Sequence, residues 1–256
     1  MNRKKLEAVY VSLAGRLVER AREDINTFVE FVMRDEAGQP FVQDEAHAVI
    51  QNFITACWNH GRWPVILAHW GMGKTSQMIA RILWEIGRDR NLRVKIVCNS
   101  DGNAVARVKL IGQYITESPE YRMVFPDVVP DREGSWSGHQ LFIQREGKSA
   151  DPTVEAKSVL ATAVGARSDL LVFDDVVDYR NAVVQPALRE TVIETYRNVW
   201  LSRMEPWGRL VYIATAWTQN DLTSWLQTSC KEDSRYAFLI QRIASDFGGI
   251  DCEIWW

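Results

Sequence analysis

Short apolar runs alternate along this chain of 256 residues with segments in which apolar positions recur every three or four residues. The runs have the composition of buried β-strands and lie at residues 65–67, 93–99, 141–144, 158–163, 170–173, 210–214 and 238–243. The periodic segments between them predict helices. This alternation predicts an α/β fold with a mainly parallel central sheet and helices on both faces.

Residues 1–60 show helical periodicity and no strand signal. The apolar positions of a first amphipathic helix are Leu6, Val9, Tyr10, Leu13 and Leu17. A second helix is predicted from about Asp44 to Asn59. Residues 1–60 are therefore predicted to form a helical N-terminal subdomain, and 61–256 the α/β core. Farther along, Ser100 and Asp101 are predicted to cap a helix. Three prolines predict an irregular surface stretch over 119–138.

Composition narrows the class of protein. Hydrophobic content is 46% and charged content 25%, which is ordinary for a soluble globular protein. The net charge of −3 argues against coating of nucleic acid by the whole surface. The four cysteines are scattered, and no signal peptide or membrane span is apparent, which predicts reduced, intracellular thiols. A possible basic surface comprises Arg81, Arg88, Arg90, Arg93, Lys95, Arg107 and Lys109, although a solvated helix face explains most of them equally well.

The first chemical motif follows the apolar run at residues 65–67. There the sequence breaks into a glycine loop and then opens a helix, which is how a P-loop cradles the phosphates of ATP or GTP. Lys74 would reach the β- and γ-phosphates, and the Thr75 hydroxyl would ligate Mg²⁺. The predicted nucleotide-binding residues of the loop are Ala68, His69, Trp70, Gly71, Met72, Gly73, Lys74, Thr75 and Ser76.

Ala68 stands where the P-loop pattern has its first glycine. Because alanine does not tolerate positive φ, the start of the loop must use an ordinary backbone geometry. The alternative interpretation is a chance Gly-Lys-Thr at the start of a helix.

The second motif is an apolar run at residues 170–173 that ends in two adjacent carboxylates, the form of a Walker B strand. Asp174 would lie next to Thr75 at the Mg²⁺ site, and Asp175 would orient or deprotonate the attacking water. The alternative is a core strand ending in a solvated acidic turn, which the upstream P-loop disfavours. At least one strand lies between the two motif strands, an arrangement seen in the motor and helicase branch of P-loop NTPases.

Three further segments carry a family resemblance: Gly165-Ala166-Arg167-Ser168-Asp169 before the acidic strand, Ile213 to Leu222, and Phe41-Val42-Gln43-Asp44-Glu45 upstream of the P-loop. With these segments the chain resembles the ATPase domain of the large terminase subunit, the DNA-packaging motor of tailed bacteriophages. The resemblance covers nearly the whole chain from about Phe28.

The resemblance implies a role for one residue of each segment. Arg167 would reach the nucleotide of a neighbouring subunit, Thr215 would couple hydrolysis to motion, and Gln43 would read the adenine edge. Taken alone, these residues also fit a surface arginine in a turn, an ordinary strand end and a polar residue at a helix start. Two departures from the family are Trp70, where many members have arginine, and Asp175, where many have glutamate. Asp178 is therefore an alternative catalytic carboxylate.

The function that the resemblance implies is Mg²⁺-dependent ATP hydrolysis that drives double-stranded DNA into a viral capsid. Its expected partners are further copies in a ring on the capsid portal, the portal protein and the small terminase subunit, in the host cytoplasm and without a membrane. The family usually continues into a nuclease domain, so an excised motor domain is expected, and terminal Trp255 and Trp256 agree with that. The alternatives are a monomeric helicase-like DNA- or RNA-dependent ATPase, and a nucleotide-binding scaffold without hydrolysis.

Overall fold

The computed structural model describes residues 3–147, 149–161 and 167–241, with side chains from residue 13 onward. The helices are α1 Arg3–Glu23, α2 Ile25–Val32, α3 Glu45–Asn59, α4 Lys74–Arg88, α5 Asp101–Glu117, α6 Pro119–Val124, α7 Ala187–Glu194 and α8 Leu222–Ser229. The strands are β1 Trp63–Leu67, β2 Val94–Cys98, β3 Gln140–Leu141, β4 Val154–Ser158, β5 Ser168–Asp174, β6 Met204–Ala214 and β7 Tyr236–Ile240. Two π-helical segments, Arg180–Val184 and Thr195–Trp200, flank α7, and a 3₁₀ turn, Leu201–Arg203, precedes β6.

The described strands form one sheet in the order β3-β4-β2-β5-β6-β1-β7. Every pair is parallel except β3–β4, so the carboxyl ends of six strands share one edge. Strand β6 lies between β1, which leads into the glycine loop, and β5, which carries the acidic pair. The predicted fold class, an α/β fold with a mainly parallel central sheet and helices on both faces, is confirmed.

Each central strand buries side chains on both faces, because a parallel sheet is covered by helices on both sides. Ile66 on β1 and Val172 on β5 point into the core beneath α2 to α6. Their neighbours Val65 and Phe173 point into the core beneath α7, the second π-helix and α8. The strict alternation follows from the two-residue repeat of a strand and fixes the register of the strand ends.

The N-terminal region contains one more helix than the sequence predicted. Helix α2 begins after Asp24, whose side chain accepts a hydrogen bond from the Thr27 amide, and it packs Phe28 into the core beneath α4. Helix α3 begins after Asp44, as predicted. The predicted first helix is α1, on which Leu13 and Leu17 are exposed. The division at residue 60 stays a prediction.

Several predicted boundaries are wrong. The strand predicted at 158–163 is β4, Val154–Ser158, and residues 162–166 lie outside the described part of the chain. The start of this strand was not recognisable from the sequence, because the charged residue Glu155 breaks the apolar run. In the fold, Glu155 pairs with buried Lys95 of β2. Pro119 begins α6 instead of an irregular stretch, since proline fits the first helical turn, where its missing N–H has no acceptor to lose.

Most residues of the predicted basic surface are paired with carboxylates instead of pointing unpaired into solvent. Arg81 is buried and pairs with Glu85 at 3.0 Å, and Lys95 is buried as well. Cys57, Cys98 and Cys230 are buried free thiols, whereas Cys252, Trp255 and Trp256 lie outside the described residues. Within the described ranges, no helix combines the length and the apolar character needed to cross a bilayer.

Candidate active site

The glycine loop joins β1 to α4 at the carboxyl edge of the sheet. Gly71 and Gly73 have φ of 84° and 61°, which only glycine adopts without strain, so both glycines are required by the turn. Ala68 is not among the described residues with positive φ, so the start of the loop uses the ordinary geometry that the sequence predicted. The substitution of alanine for the first glycine is therefore compatible with a P-loop.

The loop and the first turn of α4 present amide donors. Within the described residues, the N–H groups of Gly73, Lys74, Thr75 and Ser76 have no hydrogen-bond acceptor. The first turn of α4 also contains no acidic residue. Free amides and the positive end of the helix dipole at one point favour a bound anion such as phosphate.

Lys74 is buried and points back into its own loop. Its Nζ donates to the carbonyl oxygens of His69 at 2.9 Å and Ala68 at 3.2 Å, and to Thr215 Oγ1 at 2.9 Å. Burial lowers the pKa of Lys74, and the carboxylates of Asp175 and Asp174 oppose that shift. Lys74 thus joins the loop to Thr215, the first residue after β6, and both carboxylates lie close enough to act on its charge.

Asp174 ends β5 directly beside Thr75. The Thr75 hydroxyl donates to Asp174 Oδ2 at 3.2 Å, so two side chains 99 positions apart converge as the motifs predicted. Asp174 is 1% exposed, and burial raises its pKa, whereas the guanidinium of Arg107 favours the ionised form. Arg107 Nε donates to Asp174 Oδ2 at 3.0 Å, and its Nη2 lies 3.4 Å from Thr75 Oγ1.

Sequence reasoning placed Arg107 on a possible basic surface and missed this contact. Arg107 belongs to no recognisable sequence motif. The packing of α5 against β2 and β4 brings this side chain to the end of β5. The sequence gives only one hint: α5 follows β2, so it begins at the carboxyl edge of the sheet, and Arg107 is its one arginine.

Asp175 has φ of 47°, the only positive φ of a non-glycine residue in the described part of the chain. Aspartate tolerates this left-handed conformation better than most residues, and such strain is concentrated at functional sites. Its Oδ1 accepts a hydrogen bond from the Thr215 amide at 3.1 Å. The second carboxylate oxygen has no hydrogen-bond partner among the described residues.

Asp178 is engaged on both carboxylate oxygens. Oδ2 accepts from Asn99 Nδ2 at 2.6 Å, and Oδ1 accepts from the Asn181 amide at 2.8 Å. In return, the amide of Asp178 donates to the Asn181 side chain at 3.0 Å. This closed set of bonds holds the start of the first π-helical segment and gives Asp178 a structural part.

Gln43 lies next to α4, where it forms a reciprocal amide pair with Gln77 at 2.8 and 3.2 Å and donates to Asn26 at 2.9 Å. Both hydrogens of its amide are therefore used, which leaves an acceptor lone pair. Phe41 and His47 lie against Gly73, within 3.5 and 3.0 Å of where a Cβ would stand. The segment borders the loop, and in this arrangement Gln43 can accept a hydrogen bond from a base but cannot donate one.

The remaining predicted loop residues lie along the same turn. Trp70 is 71% exposed, and the His69 ring contacts the Trp70 carbonyl at 2.7 Å. Met72 and Ser76 are half-buried.

Arg167 is not part of this site. It immediately precedes β5, at the opposite edge of the sheet from Asp174, and seven residues of extended strand correspond to roughly 23 Å. Its side chain is 65% exposed and pairs with Glu205 at 3.2 Å. Gly165 and Ala166, which belong to the same predicted motif, lie outside the described residues. The chain therefore does not bring Arg167 to its own loop.

A cavity of about 490 Å³ also lies at that opposite edge, between Arg93, Asp169 and Trp207. Arg93 is already paired with Asp169 at 2.9 Å and with Glu205 at 2.8 Å. Because Arg93 is already neutralised and no helix N-terminus of the described residues lines it, this cavity is a poorer phosphate site than the glycine loop.

The loop also fits Mg²⁺. Mg²⁺ is usually held by one or two protein oxygen groups together with the phosphates of a nucleotide, and the Thr75 hydroxyl and the Asp174 carboxylate form such a pair beside the free amides. A cluster of many carboxylates is not needed. The residues that would hold the metal–nucleotide are therefore Lys74, Thr75, Asp174 and the loop amides.

Comparisons agree with this fold. No protein-family profile and no curated protein sequence matches the chain. Among solved structures, the large terminase of bacteriophage HK97 superposes with a TM-score of 0.60 at 16% identity, over 88% of this chain and 44% of the terminase. This chain thus spans less than half of that protein. A variant of S. cerevisiae Dbp5 in a complex with Nup159, Gle1, IP6 and ADP gives 0.41 at 14% identity, over 70% of this chain and 44% of Dbp5, too weak a likeness to carry an argument.

Proposed function

We propose that the chain is the motor domain of a viral DNA-packaging machine, which hydrolyses ATP with Mg²⁺ to move double-stranded DNA into a capsid. The observation that carries this proposal is the convergence of Lys74, Thr75, Asp174, Asp175 and Thr215 at one edge of the sheet. The likeness of the fold to a phage large terminase supports the packaging part.

Each converging group has a definite chemical task. The loop amides and the Lys74 ammonium hold the β- and γ-phosphates and stabilise the charge that develops on the transferred group. Mg²⁺, held near Thr75 and Asp174, would add further charge neutralisation. Asp175, whose second oxygen has no hydrogen-bond partner among the described residues, orients the attacking water and accepts its proton.

Thr215 is placed to couple this chemistry to movement. Its hydroxyl contacts Lys74, and its amide contacts Asp175, so a change at either group is passed to the end of β6. The loop that follows leads into α8, whose start is held by Asp221. We infer that this segment transmits hydrolysis to the DNA-contacting surface.

Arg167 fits a task in trans because it lies at the far edge of the sheet and is largely exposed. In a ring of copies, this edge of one subunit would face the nucleotide of the next, and the arginine would stabilise the transition state there. Such an arginine is worth about 10³–10⁵ in rate. The ring would sit on the capsid portal and work with the portal protein and the small terminase subunit.

The first experiment is Lys74→Ala, with Lys109→Ala as a control that removes an exposed lysine from α5. We expect ATP turnover to disappear in Lys74→Ala and to persist in the control. Unchanged turnover in Lys74→Ala would refute the P-loop assignment. Wild-type protein that binds ATP but never hydrolyses it would instead support a nucleotide-binding scaffold.

The second experiment mixes Arg167→Ala protein with Lys74→Ala protein. Each variant alone should be inactive, but mixed rings contain sites with an intact loop and a neighbour's arginine, so part of the turnover should return. Arg132→Ala, which removes another exposed arginine, should be active without a partner. Failure of the mixture to recover turnover would refute action in trans and favour a monomeric helicase-like ATPase.

A further inference from the structure

Arg107 contacts the same two oxygen groups that the proposed function gives to the metal. Its Nε donates to Asp174 Oδ2 at 3.0 Å, and its Nη2 approaches Thr75 Oγ1 at 3.4 Å. No other arginine or lysine within the described residues forms an ion pair with Asp174. A monovalent cation on a long side chain therefore lies where the proposed function needs a divalent one.

This ion pair is not an ordinary surface contact. The Asp174 side chain is 1% exposed and that of Arg107 is 23% exposed, so the pair is only weakly screened by water. The backbone of α5 is held by the Ser100 cap and by burial of Val108 and Ile111 against the sheet. Only the flexible arginine side chain is free to leave the carboxylate.

Arg107 and a metal ion cannot both use these groups fully. Asp174 Oδ2 accepts from both the guanidinium and the Thr75 hydroxyl, and a metal ion on the same oxygen would lie close enough to the guanidinium to repel it. From these contacts we propose that Arg107 is an internal counter-ion of Asp174, which the metal of a bound metal–nucleotide must displace. Arg107 is then a positioning residue, and binding of the metal requires that its ion pair with Asp174 be broken.

This inference rests on the proposed nucleotide site, and it predicts the direction in which removal of Arg107 changes metal-dependent binding. In the wild type, part of the free energy of metal binding is spent in breaking the Arg107–Asp174 pair. When the guanidinium is removed, there is no ion pair to break, and metal-dependent binding becomes tighter. A hydrogen-bonded charge pair of this kind corresponds to about a tenfold change.

The test measures the dissociation constant of a fluorescent ATP analogue at pH 8, once with excess Mg²⁺ and once with EDTA. The constant in EDTA divided by the constant in Mg²⁺ measures how much the metal tightens nucleotide binding. Arg107→Gln, which keeps an N–H donor for Asp174 but removes the charge, should raise this ratio about tenfold. Lys109→Gln, on the same helix but exposed, should leave the ratio unchanged.

Two further measurements separate the counter-ion role from a structural one. Arg107→Lys restores the positive charge and should return the ratio towards the wild-type value. Thermal unfolding of each variant shows whether the fold is intact, because a structural loss would weaken binding with and without metal alike. In a folded Arg107→Gln protein, an unchanged or smaller ratio would overturn the inference. A wild type that binds no nucleotide under either condition would overturn the proposed function itself.

Discussion

Asp175 and Asp178 lie three residues apart, and the structure predicts opposite consequences when each is changed to asparagine. In Asp175→Asn the side-chain oxygen still accepts from the Thr215 amide, and asparagine tolerates the left-handed φ of 47° as well as aspartate does. The free energy of unfolding should therefore stay within about 0.5 kcal/mol of wild type. What disappears is the carboxylate oxygen that the proposed mechanism uses as a base.

Asp178→Asn breaks a closed network instead. In the wild type, the Asn99 NH₂ group lies 2.6 Å from Asp178 Oδ2, which accepts from it. If the oxygen of the new asparagine accepts from the Asn181 amide, the NH₂ group of that asparagine faces the NH₂ group of Asn99, and two donors then oppose each other. Asn99 cannot rotate to compensate, because its own oxygen accepts from Asn103 at 2.7 Å. An amide left without a partner costs about 1–3 kcal/mol, or roughly 2–4 °C in melting temperature per kcal/mol for a chain of this size.

The assay pairs thermal unfolding with steady-state ATP turnover, measured well below the melting temperature of both variants. We expect Asp175→Asn to melt like wild type and to lose about 10²–10⁴-fold in turnover, the usual contribution of a general base. Asp178→Asn should melt several degrees earlier and keep most of its turnover. The reverse pattern, an active Asp175→Asn and an inactive but stable Asp178→Asn, would refute the assignment of the base.

Two other predictions concern stability. Gly87→Ala should lower the free energy of unfolding by about 1–3 kcal/mol in a denaturant titration, because a Cβ there would lie 2.2 Å from the ring of Phe125. Gly102→Ala, a helical glycine with open space around it, should be neutral or stabilising by up to about 1 kcal/mol, and equal losses in both would contradict the packing. Burial alone would raise the pKa of Asp169, but hydrogen bonds from Arg93 outweigh it and lower the pKa, so its stabilising effect exists at neutral pH and is lost as the pH falls below about 4. Asp169→Asn should therefore flatten the acid limb of a pH–stability curve, and an unchanged limb would contradict this.

Much of the site could be predicted because its parts are local motifs attached to strands. A run that ends in Asp174 and a loop that contains Lys74 must meet once both strands are parallel, since their carboxyl ends share an edge. The order of the strands then places Thr215, at the end of β6, between them. For these residues, local patterns and the rules of sheet topology are sufficient.

The rest depends on contacts that no local pattern encodes. Arg107 reaches Asp174 from a helix 67 positions away, and its partner is decided by how α5 packs on the sheet. Arg81 differs, because its partner Glu85 lies only four positions along the same helix, and what the local pattern does not encode is the burial of this pair. Strand β4 was misplaced because the buried partner of Glu155, Lys95, lies on another strand. For Arg107 and Glu155, the partner that neutralises the charge is distant in sequence.

A crystal structure of the protein with Mg²⁺ and a non-hydrolysable ATP analogue would show whether the glycine loop binds the nucleotide. We expect the β- and γ-phosphates to contact the amides of Gly73 to Ser76 and the Lys74 ammonium, with the metal beside Thr75 and Asp174. A nucleotide bound elsewhere, for example in the cavity beside Arg93 and Trp207, with Lys74 still bound to its own loop, would contradict this expectation.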